Sequence, residues 1–163
     1  MDDHNFVLKL YRKFKQWPLG AQLFSRIVCF KAPYFNSIHP VFETLEPGHA
    51  IVRVKKRRSV TNHIGTVHAI AMANAAELAG GTMMEASLPS SMRWIPKGMT
   101  IEYLKKAKTD ITAETKLDVI PDRGSQDVHV IVEVKDINGE LVSRADITMW
   151  VSEKGTSASQ KSV

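Results

Sequence analysis

Cysteine is nearly absent from this sequence: Cys29 stands alone among 163 residues. That excludes an internal disulfide framework and a cysteine-rich zinc site, and a reducing cytoplasm is the expected compartment. No apolar run approaches the ~20 residues that a membrane-spanning helix needs. The opening, Met1-Asp2-Asp3, is acidic and is not followed by a secretory signal pattern. Repeats at solenoid periods are missing. No pairing of histidine with acidic residues has metal-site spacing, so neither a metal nor another cofactor is expected. What remains is ordinary: 44% apolar and 24% charged residues, in a chain long enough for one domain with its own core but not for two.

The charge is unevenly placed. The net charge is +5, and residues 1–40 carry six Lys/Arg against two Asp. A second basic spot comprises Arg53, Lys55, Lys56, Arg57 and Arg58. Such patches suit phosphates, anionic lipid or nucleic acid, although a solvated basic surface is the plainer reading. Two short helices flanking Pro18 loosely resemble a helix-turn-helix. No third helix follows, so no nucleic-acid partner is expected.

Residues 6–17 read as an amphipathic helix. Phe6, Val7, Leu10, Tyr11, Phe14 and Trp17 share one side, basic residues share the other, and Leu8 breaks the pattern. Pro18 stops this helix and suits the first turn of a second, about 18–30, with Leu19, Leu23, Ile27 and Phe30 on a broad apolar face. Such a helix is too widely apolar to be left in water. The N-terminal pair is therefore expected to pack on the domain and cover an acyl tunnel rather than lie on a membrane surface. Pro33 and Pro40 bracket an irregular connection.

From about 41 the period becomes that of strands. Residues 41–45 and 50–56 form a hairpin around Glu46-Pro47-Gly48-His49. Residues 66–86 are rich in alanine and methionine and read as a long helix small on nearly every side, able to lie close to a neighbouring backbone. Gly80-Gly81 lowers helix propensity near its end. Strands follow at 92–104, interrupted at Pro96-Lys97-Gly98, then at 111–119, 128–134 and 141–151, with Asn138-Gly139 as a hairpin turn. The expected class is α+β: an antiparallel sheet of about six strands curved around one long helix. The divisions are an N-terminal helical segment over 1–36, the main domain over 37–152 and a disordered tail over 153–163.

Asn62-His-Ile-Gly-Thr-Val-His-Ala-Ile-Ala-Met-Ala-Asn-Ala-Ala-Glu77 carries the chemistry. It resembles the helix-entry motif of hotdog-fold thioesterases of the phenylacetate-degradation type, in which an asparagine precedes Gly-Thr-Leu-His-Gly-Gly and an acid follows fifteen positions after it. The wider chain is similar to a hotdog subfamily filed as a domain of unknown function or as thioesterases. That likeness is carried by Trp17-Pro18-Leu19-Gly20, Pro33-Tyr34-Phe35 and Glu77-Leu78-Ala79-Gly80-Gly81, and it covers roughly residues 15–152. Two departures stand out. Ala69-Ile70 replaces the Gly-Gly pair, and Ile95-Pro96-Lys97 has no hydroxyl where some relatives hold a catalytic water.

Thioester hydrolysis needs a stabiliser for the developing oxyanion and a base or nucleophile. A helix N-terminus, here the amides near Ala69 and Ile70, offers unpartnered N–H groups at the positive end of the dipole. Glu77, expected to be buried, supplies a carboxylate, as general base or as nucleophile. The amide of Asn62 is suited to hold water or substrate. Ala69 and Glu77 are eight positions apart, about 12 Å of helix rise, so one carbonyl cannot meet both in the same chain. Two antiparallel helices about a twofold axis would pair each Glu77 with the other chain's tip, which predicts a homodimer, with pairing of dimers into tetramers left open. The resemblance implies the same cross-dimer site. Substrate contact is expected from His68, Asn74 and Tyr103 as well, and coenzyme A phosphates are assigned to Arg57 and Arg58. The expected activity is hydrolysis of an acyl-CoA or acyl-carrier thioester. The alternative is a non-catalytic acyl-CoA or lipid-binding protein on the same fold.

Overall fold

The structure, a computed structural model, describes residues 5–155. Helix α1 spans Phe6–Lys15 and starts at Asn5, whose side chain accepts the Leu8 N–H at 3.1 Å. The buried side of α1 is Leu8 and Tyr11, whereas Phe6 and Trp17 are exposed. Leu8, which breaks the expected stripe, thus belongs to the core. The reason lies in a partner 30 residues away: Tyr11 stacks edge-on against Phe24, Phe24 against Phe42, and the Tyr11 hydroxyl donates to the Glu43 carbonyl at 2.9 Å.

Helix α2, Gly20–Lys31, starts two residues later than expected. Leu19 takes a left-handed conformation there, and a Cβ on Gly20 would sit 1.7 Å from the Phe14 carbonyl oxygen. The two helices therefore meet backbone to backbone, and only glycine fits. The face of α2 that is buried is Gly20, Phe24, Ser25 and Cys29, not the stripe of Leu19, Leu23, Ile27 and Phe30. Ser25 anchors this face by accepting the Phe42 N–H at 3.0 Å. The irregular connection contains a 3₁₀ helix over Pro33–Ile38.

The strands are β1 (Val41–Glu46), β2 (His49–Val54), β3 (Met92–Tyr103), β4 (Ile111–Lys116), β5 (Gln126–Asp136) and β6 (Leu141–Glu153). They form one sheet in the order β1-β2-β4-β5-β6-β3, each neighbour antiparallel. The proline–glycine break in β3 is real: the register shifts between Pro96 and Gly98. Strand β6 runs through Glu153, and of the tail expected over 153–163, residues 156–163 lie outside the described residues. Among the described residues no helix is long and apolar enough to cross a membrane.

Helix α3, Ala69–Ser87, lies on the concave face of this sheet. Period-2 side chains point at it: Ala50, Val52 and Val54 from β2, Val130 and Val132 from β5, Ile147 and Met149 from β6, all buried. Gly80 and Gly81 do not end the helix. A Cβ at Gly80 would meet Ile147 and Val130 at 3.2 Å, and one at Gly81 would meet the Trp94 ring at 2.8 Å. Close packing outweighs the propensity cost of about 1 kcal/mol per glycine. Substituting Gly80→Val should therefore overpack this contact and destabilise the chain by about 1–3 kcal/mol, read as a lowered urea midpoint. An unchanged midpoint would show that α3 can retreat from the sheet.

Candidate functional site

The turn that delivers the chain into α3 is held by Asn62. Its Oδ1 accepts the Ile64 N–H at 3.2 Å and the Thr66 N–H at 3.1 Å, and its Nδ2 donates to Thr66 Oγ1 at 2.8 Å. Gly65 closes the turn with φ of 76° and donates to the Asn62 carbonyl at 3.0 Å. Beyond it, Val67 N–H reaches the Ala107 carbonyl and His68 N–H the Val60 carbonyl, both at 2.8 Å. These bonds fix where the helix tip lies and which way it points. The Asn62 amide is thus engaged within its own loop.

At the tip, His68 is the N-cap, and its Nδ1 accepts the Ile70 N–H at 3.1 Å. Ala71 and Met72 donate to the His68 carbonyl. Of the two amides expected to bind an oxyanion, that of Ile70 is occupied by the cap, and that of Ala69 has no acceptor among the described residues. Ile70 itself is 55% exposed.

Two turns along the same helix, Glu77 is half-buried rather than enclosed. No hydrogen bond or ion pair reaches its carboxylate from the described residues. Glu77 sits where two cavities meet. One is a small recess of about 250 Å³ against Pro96, Gly98 and Met99 of edge strand β3. The other is an apolar trough of about 440 Å³. The floor of the trough is α3 itself, through Glu77, Leu78, Gly81 and Glu85. One wall is Trp94 and Pro96 of β3, and the other is Val7, Val28 and Phe35 from the N-terminal segment.

The remaining predicted residues are dispersed. Asn74 is buried beneath the 3₁₀ turn, where its Nδ2 donates to Ser37 Oγ at 3.1 Å and its Oδ1 has no partner. Arg57 is half-buried and donates to the Ser37 carbonyl at 3.2 Å, while Arg58 is exposed. Neither arginine lines the cavities that Glu77 lines. Tyr103 ends β3 and is 46% exposed, outside both cavities. Cys29 is buried in α2, and burial pushes its thiol above the ordinary range, which makes it a poor nucleophile. Trp94, Val28 and Phe35 escaped the sequence reading as site residues. An aromatic at a strand position gives no local sign that it overhangs a helix; Gly81, one turn after Glu77, was the only trace of that approach.

The sequence model of the family described as "Domain of unknown function (DUF4442)" matches residues 20–151. A crystal structure designated genomics APC5556 is 45% identical, with a TM-score of 0.81, covering 91% of this chain and 99% of that one. The Pseudomonas aeruginosa protein PA5026, described as of unknown function and "Probable Thioesterase", is 26% identical, with a TM-score of 0.74 over 85% of this chain and 97% of its own. The Haemophilus influenzae thioesterase HI1161 shares 11% identity at a TM-score of 0.67, over 77% of this chain and 86% of that one, a likeness of fold. The fold is the hotdog fold. No curated protein matches the chain.

The hydrogen-bond pattern around Asn62 makes a prediction of its own. Asn62→Ala removes three bonds and leaves the Thr66 N–H unsatisfied in a partly buried turn. A loss of about 1–3 kcal/mol is expected, measured by chemical denaturation. Asn62→Asp keeps both acceptor bonds and should lose less.

Proposed function

The chain belongs to the DUF4442 family, and on that premise we propose that it is a thioesterase acting on an acyl-CoA or acyl-carrier thioester, with sites shared between two copies of the chain. The observation that carries the proposal is Glu77: an ionisable carboxylate without a partner among the described residues, at the junction of an apolar trough and an open strand edge. The carboxylate takes a proton from the attacking water. The water oxygen adds to the thioester carbonyl, and the oxyanion rests against an Ala69 N–H. The C–S bond then breaks, the proton passes to the leaving sulfur, and acid and thiol depart.

Within one chain Ala69 and Glu77 remain about 12 Å apart along the helix axis, so the amide is that of a second copy. Two features support such a pairing. Strand β3 is an edge strand with its outer backbone unpaired, and Ile70, Ile95 and Met99 expose 55%, 59% and 40% of their surface. In this reading Asn62 and His68 position the helix tip and do not touch the substrate. A cytoplasmic location fits a coenzyme-linked substrate.

One observation favours the non-catalytic alternative: with the Ile70 amide bound to His68, the tip offers one free donor instead of two. Ligand protection by acyl-CoA without thiol release would select it.

Glu77→Gln should leave the melting temperature close to wild type and lower kcat/KM by at least ~10²-fold in a thiol-release assay. Retained turnover would remove Glu77 from the mechanism. A mixing experiment tests the shared site. Ala69 occupies the first helical position, where proline is tolerated, so Ala69→Pro deletes one N–H and leaves the helix intact. Each variant alone should be inactive. Mixed after denaturation and joint refolding, they should regain about a quarter of wild-type activity, because half the dimers then carry one intact site. No recovery would place both groups in one chain.

A further inference from the structure

We infer that the trough beside Glu77 is a binding site for a medium-length, unbranched acyl chain, closed at its far end by a bar made of Trp94 and Glu85. The inference rests on the thioesterase reading for what delivers the chain, and on the geometry of the trough for its length.

The trough runs along one stripe of α3. Glu77, Gly81 and Glu85 are successive positions of an i, i+4, i+8 row, so they face the same way. The two acids at its ends differ. Glu77 is unpaired, whereas Glu85 accepts the Trp94 Nε1–H at 2.9 Å. That bond draws the indole across the helix at Gly81, the one residue type that leaves room for it. Trp94 and Glu85 also line a second cavity of about 470 Å³, whose other walls include Asn5, Arg93 and Lys154. The pair is therefore a partition, with apolar surface on the Glu77 side and polar surface beyond.

The occupant follows from shape and polarity. Between the end residues the lining is mainly apolar, from Leu78, Val28, Ala32, Phe35, Val7 and the Trp94 ring, with Lys31, whose ammonium lies over the Phe6 ring, and Thr82 as the polar residues. That suits methylene groups and not a sugar or a peptide. The volume, about 440 Å³, lies in the ordinary range for small-ligand sites. The run from Glu77 to Glu85 is eight residues, about 12 Å. An extended chain with C–C bonds of about 1.52 Å advances roughly 1.25 Å per methylene. The trough therefore holds about nine or ten carbons before the chain meets the bar.

The test separates binding from turnover. Binding of the straight-chain carboxylates from hexanoate to tetradecanoate is measured by calorimetry on the full chain, alongside thiol release from the matching acyl-CoA series. Affinity should rise about fourfold per added methylene and level off near ten carbons. Trp94→Ala should move the break at least two carbons upward, and Val28→Phe, which narrows the opposite wall, should move it downward. The second variant carries the test if the first fails to fold. Affinity independent of length, or a break that neither variant moves, would overturn the inference even if every thioester is hydrolysed. Length-dependent binding without thiol release from any acyl-CoA would leave the trough as an acyl site and refute the hydrolytic reading.

Discussion

Everything in this molecule depends on how closely α3 can approach the sheet. At Gly80 the helix backbone lies so near the sheet that a single methyl would touch Val130 and Ile147 at 3.2 Å. Ala75, Ala76 and Ala79 on neighbouring positions are fully buried. A helix gripped this tightly has few directions left to face. Its sheet side is closed by β2, β4, β5 and β6, and its flank by the N-terminal helices. The stripe of Ile70, Ala73 and Glu77 remains partly open. Close packing, a matter of volume alone, thereby decides where Glu77, unpaired among the described residues, meets solvent.

The same constraint produces an asymmetry between two carboxylates on one helix face. Glu85 is tied to the indole of Trp94, and the backbone carbonyl of Glu85 also receives the side-chain amide of Asn5. Glu77 lies two turns earlier, beside the β3 bulge where the register slips between Pro96 and Gly98. A bulge bends its strand locally, and the recess against Pro96, Gly98 and Met99 lies at that bend. One acid is held by a hydrogen bond and the other has no partner among the described residues, because of what the adjacent strand places over each. The tip of α3 shows a similar division of labour. Asn62 and His68 spend their hydrogen bonds on shaping the approach to the helix, and a single amide at Ala69 is left over.

Much of this was legible in the residues. The six strands, the long small-residue helix, the Asn138-Gly139 turn and the disruption at Pro96-Lys97-Gly98 all follow from local period and turn chemistry, and the structure has them within a few residues. The face of α1 was legible in part, since Tyr11 is buried and Val7, Leu10 and Phe14 pack against the core, but the face of α2 was not. Leu8, the apparent outlier, is core, whereas Phe6, Trp17, Leu19 and Phe30 face outward. The second helix has apolar residues around much of its circumference, so periodicity left several of its faces equally plausible. The choice was made by Phe42 and Glu43, residues on a strand that the helices meet only in three dimensions.

Sequence alone determined the elements, because they rest on period and turn chemistry along the chain, and the hotdog architecture by resemblance. Tertiary structure decided what the adjacent strand places over each acid of α3 and where the apolar trough ends. Those outcomes depend on Trp94 crossing Gly81 and α1 docking beside α3. Contacts between segments tens of residues apart leave no periodic trace in either segment.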